Sequence, residues 1–269
     1  MNLLFAINQN FTDLLCNCIL SIVKNGGEDH YNAYILHSDL QDEDKKKIQL
    51  STGEQMQCHF IYVEEAAVAG FPESSRYPKQ IYYRLLAPLL LPVGLDRILY
   101  LDVDLVVINP LKDLYYMDFE DNYYIACSHI KNLLTKFNQM RLGVDGNVPY
   151  INTGVMLMNL DSLRKVLTLE QIQKTAEEKM RIFMLPDQDL LTVMYGDKIK
   201  LADTMRYNLS DRMISYYNAD PRHEKLDLEW VRKNAVIIHY YGKNRPWKDK
   251  YSGILDVFYW ETSNDVQRQ

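Results

Sequence analysis

Short apolar runs alternate with amphipathic stretches along the first third of the chain. Runs in which most side chains are apolar are typical of strands buried on both faces, whereas apolar positions three or four apart indicate helices. The strand-like runs are residues 3–7, 31–37 and 59–63, and the helical stretches between them are residues 13–24 and 42–50. This alternation predicts right-handed βαβ crossovers and a parallel sheet, in which ligands lie beyond the carboxyl ends of the strands.

The rest of the chain continues the alternation without an internal repeat or a linker rich in glycine and serine. Further strands are predicted at residues 98–101, 123–128 and 150–160, and further helices at residues 82–91, at 169–179 and directly after Pro186. We therefore predict a single α/β domain over residues 1–250, followed by a C-terminal extension at residues 251–269.

Composition narrows the class of protein. With 269 residues, of which 47% are hydrophobic and 25% charged, the chain has the balance of a globular protein with a substantial core. The net charge of -6 argues against binding nucleic acid over a broad surface, which needs clustered lysine and arginine. The four cysteines form no CxxC pair, the first residues lack the pattern of a signal peptide, and the longest apolar stretch is broken by Pro88 and Pro92. We expect a cytoplasmic protein with reduced cysteines and no transmembrane helix.

Two aspartates interrupt an apolar run in the middle of the chain. Residues 98–101 are apolar and lead into Asp102 and Asp104, after which residues 105–108 are apolar again. A single aspartate at a strand end is usually a turn cap, and this alternative applies to either residue alone. Residues two apart project to the same side of an extended chain, so the pair would place two carboxylates together and require a cation. Carboxylate oxygens suit Mg²⁺ or Mn²⁺.

A second polar segment, HYYGKNRPW at residues 239–247, directly follows another apolar run. This places His239 at a strand end, where a neutral imidazole could supply a third metal ligand. In the same segment Gly242 permits close approach of the backbone to a ligand, and Lys243 or Arg245 could hold a diphosphate. The alternative for His239 alone is a histidine that is hydrogen-bonded at the end of a strand.

Four motifs occur in the order and approximate spacing found in family 8 glycosyltransferases. They are YLDVDLVV at residues 100–107, INTGVMLMNL at 151–160, LPDQDLL at 185–191 and HYYGKNRPW at 239–247. From residue 3 to about residue 250 the chain therefore resembles a bacterial member of this family, in the group of lipopolysaccharide galactosyl- and glucosyltransferases, with glycogenin a more distant relative. The resemblance implies a Rossmann-like GT-A fold with a mostly parallel central sheet.

The resemblance also implies an activity. Such enzymes transfer a hexose from a UDP-sugar to a saccharide or glycolipid acceptor, with retention of the anomeric configuration and with Mn²⁺ or Mg²⁺. The donor expected here is UDP-glucose or UDP-galactose, and the process is lipopolysaccharide biosynthesis. Asp102, Asp104 and His239 would hold the metal ion, and Gly242 and Arg245 would contact the diphosphate. The family usually has lysine where Arg245 stands, and arginine keeps the charge but adds a bidentate fork.

The segment that wraps uridine in the family matches the start of this chain, at Ala6, Asn8, Asn10 and Phe11. The family often has aspartate in place of Asn8, so a charged contact becomes a neutral amide that still forms hydrogen bonds. It often has tyrosine in place of Phe11, and stacking on the base needs only the ring. Taken alone, Phe11 could equally be a core side chain.

Contacts to the donor sugar and phosphates are implied for a second group of positions. These are Arg84, Val103, Asn152, Thr153, Gly154, Asp187 and Gln188, and the catalytic candidates are Gln188, Asp187 and Arg245. Each has an ordinary alternative when taken alone. Arg84 could be a solvated helix position, Asn152 a turn former and Asp187 a cap in a first helical turn.

The motifs contain no evident covalent nucleophile, and Gln188, the match nearest the reacting face, is a poor one. This favours attack by the acceptor on the face from which the diphosphate departs, with the departing phosphate oxygen accepting the acceptor's proton. Two alternatives stay open. One is a nucleotide-sugar hydrolase of the same fold, and the other is a non-catalytic nucleotide-sugar-binding module.

The acceptor is expected to be an oligosaccharide or a lipid-linked saccharide. Residues 128–150 are predicted to form a lid or a wall of its site. Within them His129 stands where the family often has a carboxylate, and Gly143 and Gly146 would permit movement.

The last segment of the chain combines aromatic side chains with three basic residues, Lys248, Lys250 and Arg268. Tyrosine and tryptophan favour membrane interfaces, and lysine is attracted to anionic lipid, so weak peripheral contact with a membrane is a further prediction. The alternative is a final helix packed on the core.

Overall fold

A computed structural model gives the structure of the chain, which describes residues 1–71, 78–128 and 132–266. The strands in these ranges are β1 (Asn2–Ala6), β2 (Tyr31–His37), β3 (Met56–Tyr62), β4 (Arg97–Leu101), β5 (Leu105–Val107), β6 (Tyr124–Cys127), β7 (Asn152–Asn159), β8 (Ile199–Leu201) and β9 (Ile237–His239). The strands and helices observed in the first third of the chain alternate as the sequence pattern predicts. β2 has the predicted bounds.

The helices in the same ranges lie between these strands and after the last one. They are α1 (Thr12–Asn25), α2 (Asp42–Thr52), α3 (Tyr83–Leu90), α4 (Lys112–Tyr115), α5 (Asn132–Leu142), α6 (Leu160–Val166), α7 (Leu169–Lys179), α8 (Pro186–Tyr195), α9 (Thr204–Tyr207), α10 (Asp211–Asn218), α11 (Leu228–Asn234) and α12 (Asp256–Val266). Short 3₁₀ turns precede α1 and α3, at Gln9–Phe11 and Lys79–Tyr82.

Seven strands form the central sheet, in the order β3-β2-β1-β4-β7-β6-β8. β1 pairs in parallel with β2 on one side and with β4 on the other, and the pairs β2–β3 and β6–β8 are parallel as well. β7 runs antiparallel to β4 and β6. The predicted mostly parallel α/β sheet is therefore confirmed. The strand order reverses between β1 and β4, and open α/β sheets bind ligands in the crevice at such a point.

The antiparallel direction of β7 brings its first residues to the sheet edge at which β4 ends. Leu101 pairs with Val155, and the backbone amide of Asp102 donates to the carbonyl oxygen of Gly154 at 2.7 Å. Asn152, the first residue of β7, is carried to the same edge. One end of the sheet thus collects side chains from two of the four motifs.

The apolar residues 105–108 do not continue β4. The chain bends at Val103 and Asp104, and β5 pairs with β9 in a separate two-stranded antiparallel sheet. The expectation of one extended chain through both aspartates is therefore wrong. The register of the second sheet places Leu105 opposite His239, and this pairing brings the histidine to the aspartates.

Polar side chains of α1 stabilise the bend by satisfying the other edge of β5. The hydroxyl of Ser21 accepts a hydrogen bond from the backbone amide of Val107 at 2.9 Å, and the amide group of Asn25 donates to the carbonyl oxygen of Val107 at 2.9 Å. Because buried backbone groups must find partners, these two side chains replace the neighbouring strand that β5 lacks on that side.

Side chains of β1 alternate between the two faces of the sheet, and both faces are covered. Leu3 and Phe5 pack into one core with side chains of α1, whereas Leu4 packs into the opposite core with side chains of α3. Burying each of these side chains fully stabilises the fold by about 1.5–3 kcal/mol. The carboxyl end of β1 is therefore held from both sides, and so is the crevice beside it.

Residues after position 250 also pack on the domain. Leu255, Phe258 and Tyr259 are buried in a cluster with side chains of β5 and β9, while Trp260 is 39% exposed. The structure thus has the packed helix that the sequence leaves as the alternative for this segment, and Arg268 lies outside the described residues. Nowhere in the described part of the chain does a helix have both the length and the apolar character needed to cross a membrane.

Candidate active site

A cavity of about 200 Å³ opens at the carboxyl ends of β1 and β4, where the strand order reverses. Its lining residues are Ala6, Ile7, Asn8, Phe11, Pro78, Gln80, Ile81, Arg84, Asp102, Val103, Asp104 and Arg245. All of them except Ile7, Pro78, Gln80 and Ile81 are assigned to the donor or the metal ion by the family resemblance. The fold therefore brings residues from four separate parts of the chain into one crevice.

Asp102, Asp104 and His239 form a group that fits a divalent metal ion. One ligand atom from each lies within 4.8 Å of the others. Nε2 of His239 is 3.0 Å from Oδ1 of Asp104 and 3.7 Å from Oδ2 of Asp102, and the histidine is almost completely buried. Two carboxylate oxygens and one imidazole nitrogen are a donor set that suits Mn²⁺ and Mg²⁺.

The orientation of Asp102 is set by two neighbours. Its Oδ1 accepts a hydrogen bond from the Tyr100 hydroxyl at 2.6 Å and contacts Nη2 of Arg84 at 3.0 Å. The guanidinium of Arg84 also lies over the Tyr100 ring, 4.5 Å from its centroid. Because Oδ1 is occupied, Oδ2 is the oxygen that faces His239. Tyr100 is missing from the predicted site, since in an apolar strand it resembles any other core residue.

Asp104 is paired with two cationic or potentially cationic groups. Its Oδ1 faces His239, and its Oδ2 lies 3.0 Å from Nη2 of Arg245. Burial favours the protonated carboxyl, but the interactions with His239 and Arg245 outweigh burial and hold the pKa of Asp104 below its ordinary value. The carboxylate is therefore ionised at neutral pH and available to bind a cation.

Arg84 links Asp102, one of the candidate metal ligands, to the start of α8. Its Nη1 donates to the carbonyl oxygen of Thr153 at 3.0 Å and lies 3.5 Å from Oδ2 of Asp187, which also accepts a hydrogen bond from the Thr153 hydroxyl at 2.6 Å. The Arg84 side chain is buried, so the alternative of a solvated helix position is wrong. Burial raises the pKa of Asp187, and Arg84 and Thr153 offset this only in part.

α8 begins with Pro186, and its first turn presents one unsatisfied group. Oε1 of Gln188 is buried and has no hydrogen-bond partner among the described residues. Such an acceptor is costly unless a ligand supplies a donor, for example a sugar hydroxyl. Asp189, by contrast, is saturated: it accepts from Arg141, from Tyr150 and from two backbone amides just before it.

Asn152 and Asn208 stand behind His239. Oδ1 of Asn152 accepts from the backbone amide of Gly154 at 3.1 Å and from the side chain of Asn208 at 2.9 Å. Asn208 in turn contacts Nδ1 of His239 at 2.8 Å. Asn152 is thus a buried network residue rather than a turn former. Nothing in the sequence marks Asn208, because asparagine between two helices usually indicates a turn.

Several predicted donor and metal residues do not line the 200 Å³ cavity: Asn10, Asn152, Thr153, Gly154, Asp187, Gln188, His239 and Gly242. Asn10 is exposed, and its backbone amide donates to the Asn8 side chain at 3.1 Å, which caps the 3₁₀ turn before α1. Gly242, with a φ of 91°, lines a neighbouring cavity of about 300 Å³. The residues lining this second cavity are Ser210, Asp211, Arg212, His239, Tyr240, Tyr241, Gly242, Lys243 and Asn244. His239 lines this second cavity, and its Nε2 lies 3.0 Å from Oδ1 of Asp104, which lines the first cavity.

The segment predicted as a lid or acceptor wall, residues 128–150, is held in place in its C-terminal half by hydrogen bonds and an ion pair. The side chain of Gln139 donates to the carbonyl oxygens of Gly146 and Val148, and Arg141 pairs with Asp189 of α8. These contacts favour a fixed wall for this part of the segment. His129 lies outside the described residues.

The chain is similar over most of its length to a known protein family and to named relatives. A model of the family described as Glycosyl transferase family 8 matches residues 2–251. The chain is 27% identical over 251 residues to a lipopolysaccharide 1,2-glucosyltransferase of Escherichia coli, an alignment that covers 92% of this chain and 73% of that protein. It is 24% identical over 265 residues to a lipopolysaccharide 1,3-galactosyltransferase of Salmonella typhimurium, covering 91% and 72%.

Solved structures show the same fold. The galactosyltransferase LgtC, in a complex with donor and acceptor sugar analogues, superposes with a TM-score of 0.81 at 22% identity, covering 98% of this chain and 96% of that one. The glycosyltransferase GlyE of Streptococcus pneumoniae superposes with a TM-score of 0.70 at 20% identity, covering 99% and 63%. The predicted GT-A fold is therefore confirmed. Because the family model matches nearly the whole chain, this protein belongs to glycosyl transferase family 8 and is a glycosyltransferase.

Proposed function

We propose that this protein is a metal-dependent, retaining hexosyltransferase that moves glucose or galactose from a UDP-sugar to a saccharide acceptor. The observation that carries the proposal is the convergence of Asp102, Asp104 and His239 at a cavity that Arg84 and Arg245 also line. Two carboxylates and two guanidinium groups at one crevice suit a ligand that joins a divalent cation to a diphosphate. The names of the two relatives above support glucose and galactose as the candidate sugars.

In this proposal the donor lies along the 200 Å³ cavity. Phe11 offers its ring to the uracil base, and Ala6 and Asn8 line the same end of the cavity. Arg245 and the backbone at Gly242 bind the diphosphate, and Asp102, Asp104 and His239 would hold Mn²⁺ or Mg²⁺. When bound, such an ion supplies positive charge beside the phosphate oxygens that become more negative as the sugar leaves.

The chain's own cations stabilise the departing diphosphate. Arg84 and Arg245 both line the cavity, so their fixed charges stabilise the leaving group more in the transition state than in the ground state. Oε1 of Gln188 accepts a hydrogen bond from a sugar hydroxyl and so orients the hexose. Asp187, held by Arg84 and Thr153, fixes the first turn of α8 beside it.

The proposed reaction exchanges one bond at the anomeric carbon for another on the same face. The bond from the carbon to the phosphate oxygen breaks, and the acceptor oxygen forms a new bond from that side. The departing phosphate oxygen takes the proton of the acceptor hydroxyl, so UDP leaves protonated and no enzyme group is consumed. Gln188 is a neutral amide and a poor nucleophile, which supports this route over a covalent intermediate.

The 300 Å³ cavity supports a place for the acceptor. It shares His239 with the metal-binding group, and its rim carries the polar side chains of Ser210, Arg212 and Lys243. An oligosaccharide or a lipid-linked saccharide seated there would direct a hydroxyl towards the donor sugar. The relatives named above act on lipopolysaccharide, which supports a saccharide of that class.

A product analysis tests the proposed function. The protein is incubated with a panel of UDP-sugars, with Mn²⁺ or with EDTA, and with or without oligosaccharide acceptors, and products are identified by mass spectrometry. Transfer of one hexose that EDTA abolishes, with an α-anomeric signal by proton NMR, is the expected result. Free hexose released equally with and without acceptor indicates the hydrolase, and UDP-sugar binding without turnover indicates the binding module. A β-linked product contradicts the retaining mechanism.

Action in the cytoplasm, with weak contact at a membrane surface, stays a prediction. The burial of Leu255, Phe258 and Tyr259 removes much of the apolar and aromatic surface on which the membrane contact depends, although Trp260 and the Lys248 side chain remain exposed. Sedimentation with anionic liposomes at low salt compares the full chain with a Trp260→Ala, Lys248→Ala variant. Equal recovery in the supernatant, at the level seen without liposomes, contradicts the membrane contact.

A further inference from the structure

His239 contacts the two aspartates through one ring nitrogen and a buried asparagine through the other. Its Nε2 faces Asp102 and Asp104, whereas its Nδ1 lies 2.8 Å from Oδ1 of Asn208. Asn208 is fully buried, and a buried amide is stable only when its polar atoms have partners. The ring nitrogen that carries the proton decides whether Nε2 has a lone pair for a metal ion.

A backbone amide fixes the direction of the hydrogen bonds behind His239. The N–H of Gly154 can only donate, so the Asn152 atom that lies 3.1 Å from it must be the amide oxygen. The same oxygen lies 2.9 Å from Asn208, which must therefore turn its NH₂ group towards Asn152. The oxygen of Asn208 is left to face His239, and because that oxygen only accepts, Nδ1 of His239 carries a proton.

We propose that Asn208 is a positioning residue that holds His239 in its Nδ1-protonated form and so keeps the Nε2 lone pair directed at the two aspartates. The inference rests on the proposed function, because that lone pair is useful only if a metal ion binds there. With Nδ1 protonated, one nitrogen and two carboxylate oxygens converge within 4.8 Å. Three such electron-rich atoms are stable together only around a cation, which is a proton on Nε2 in the metal-free protein and the metal ion when one is bound.

Backbone hydrogen bonds keep Asn208 beside the histidine independently of its side chain. The amide of Leu209 donates to the carbonyl oxygen of Ile237 at 3.0 Å, and the amide of His239 donates to the carbonyl oxygen of Leu209 at 2.8 Å. A change of the Asn208 side chain therefore leaves the chain path in place. This separates the effect on the imidazole from an effect on the fold.

The protonation of His239 is directly observable in the unsubstituted protein. In protein labelled with ¹⁵N-histidine, a His239→Gln variant identifies the His239 signals among those of the six histidines. We expect a one-bond proton coupling at Nδ1 both before and after Mg²⁺ is added, and a change of the Nε2 signal on adding Mg²⁺. A His239 ring whose Nδ1 carries no proton overturns the proposal.

Two substitutions of Asn208 separate positioning from packing. Asn208→Asp keeps an oxygen that accepts from Nδ1, whereas Asn208→Leu has the same branched arrangement of side-chain heavy atoms but no acceptor. If Asn208 positions His239, Mn²⁺ affinity measured by calorimetric titration falls about tenfold or more in Asn208→Leu and is retained in Asn208→Asp. If Asn208 only fills space, leucine is the better tolerated residue, because a buried charge is costly. Asn218→Leu, at the end of α10, is the matched control and keeps wild-type affinity.

The outcomes distinguish this proposal from the proposed function. Wild-type Mn²⁺ affinity in a folded Asn208→Leu protein overturns the positioning role even if hexose transfer is confirmed. If the wild-type protein binds no Mn²⁺ but His239 carries the Nδ1 proton, the positioning role is supported and the metal-dependent function is contradicted. Loss of the Nδ1 coupling in Asn208→Leu, with retention in Asn208→Asp, supports the proposal without any measurement of activity.

Discussion

Gly154 packs directly against the imidazole of His239, with no room for a side chain between them. A Cβ atom at position 154 would overlap Cε1 of the ring and would lie 2.6 Å from Oδ2 of Asp102. Neither neighbour can move freely, because His239 is bonded to Asn208 and Asp102 to Tyr100. The glycine of the INTG motif is therefore required by the packing of Asp102 and His239, the two proposed metal ligands that it contacts, in addition to any contact with the donor.

We expect Gly154→Ala to weaken metal binding more than it weakens the fold. Overpacking should cost about 1–3 kcal/mol of unfolding free energy, and displaced ligands should lower Mn²⁺ affinity by about tenfold or more. Urea unfolding and calorimetric titration measure the two effects. Gly94→Ala is the control, because a Cβ atom there meets no atom within 4 Å. Unchanged Mn²⁺ affinity in Gly154→Ala would show that the ligands accommodate the methyl group.

The strands and helices around this site can be predicted from the local sequence pattern, but the tertiary contacts between them cannot. Apolar runs predict the strands that end at Asp102 and at His239, because burial on both faces of a sheet is a property of the strand itself. The pairing of β5 with β9 joins residues more than a hundred positions apart, and neither segment encodes its partner. After the bend, the backbone of Val107 in β5 is held by Ser21 and Asn25 of α1, and the sequence does not distinguish these two from ordinary helix residues.

The supporting residues are harder to predict than the ligands. Asp102 and Asp104 are conspicuous in the sequence because charged residues are unusual beside a buried strand. Tyr100 is not, because it is one of several large apolar or aromatic residues in that strand. Asp189 lies in the first turn of α8, but its partner Arg141 comes from a different helix, α5. Side chains that act through another side chain leave no local signal, so only the structure identifies them.

Gln188 is expected to contribute to hexose transfer while lowering the stability of the folded protein. Its Oε1 is a buried acceptor without a partner in the described structure, and such a group costs about 1–3 kcal/mol. Gln188→Leu should therefore unfold at the same or higher urea concentration, while kcat for hexose transfer falls about tenfold or more. Gln171→Leu provides the opposite control, because Gln171 belongs to the capping box of α7 and is remote from the cavity. That variant should lose stability and keep its activity. A loss of stability in Gln188→Leu would contradict the unsatisfied acceptor.

Arg245 is expected to act through its charge. Its guanidinium pairs with Asp104 and lies over the ring of Trp247, 5.6 Å from the centroid. Arg245→Lys keeps the charge that binds a diphosphate, so most of the activity should remain. Arg245→Gln should lower kcat/KM for the UDP-sugar roughly 10- to 100-fold. This factor corresponds to the usual energy of a hydrogen bond to a charged group. Arg222→Gln, whose native side chain is 84% exposed, is the control. Equal kcat/KM in the Arg245→Gln and wild-type proteins would exclude a diphosphate contact.

Asp189 is expected to contribute more to stability than any other carboxylate discussed above. It pairs with Arg141 at 2.7 Å, and it accepts from Tyr150 at 2.7 Å and from the amides of Met184 and Leu185. Asp189→Asn leaves the guanidinium without its counter-ion, which should lower the unfolding free energy by about 3–5 kcal/mol. Urea unfolding measures the loss, and the exposed Asp197→Asn should change it by less than about 0.5 kcal/mol. A similar small change in Asp189→Asn would show that the network reforms around the amide.

His37, at the end of β2, makes the stability of the fold sensitive to acid. The side chain is 4% exposed and packs edge-on against Phe60 and Tyr62, and its Nδ1 is buried without a partner in the described structure. Burial, together with the nearby charge of Lys45, lowers the pKa of His37 below its ordinary value, although Asp39 opposes the shift. The folded protein therefore prefers the neutral ring.

The sign of the pH dependence follows from this direction. Above the unfolded-state pKa of about 6.5 neither state is protonated at His37 and the full stability is present. As the pH falls through that value, the unfolded chain takes up a proton that the folded protein resists, so the unfolding free energy decreases, by at most about 1.4 kcal/mol per pH unit.

His37→Phe keeps an aromatic ring but cannot titrate. Between about pH 7.5 and about pH 5.5 it should therefore lose less stability in urea unfolding than the wild-type protein does. His30→Asn, at an exposed position, is the control and should follow the wild-type curve. If His37→Phe follows that curve as well, His37 is protonated equally easily in the folded and unfolded states.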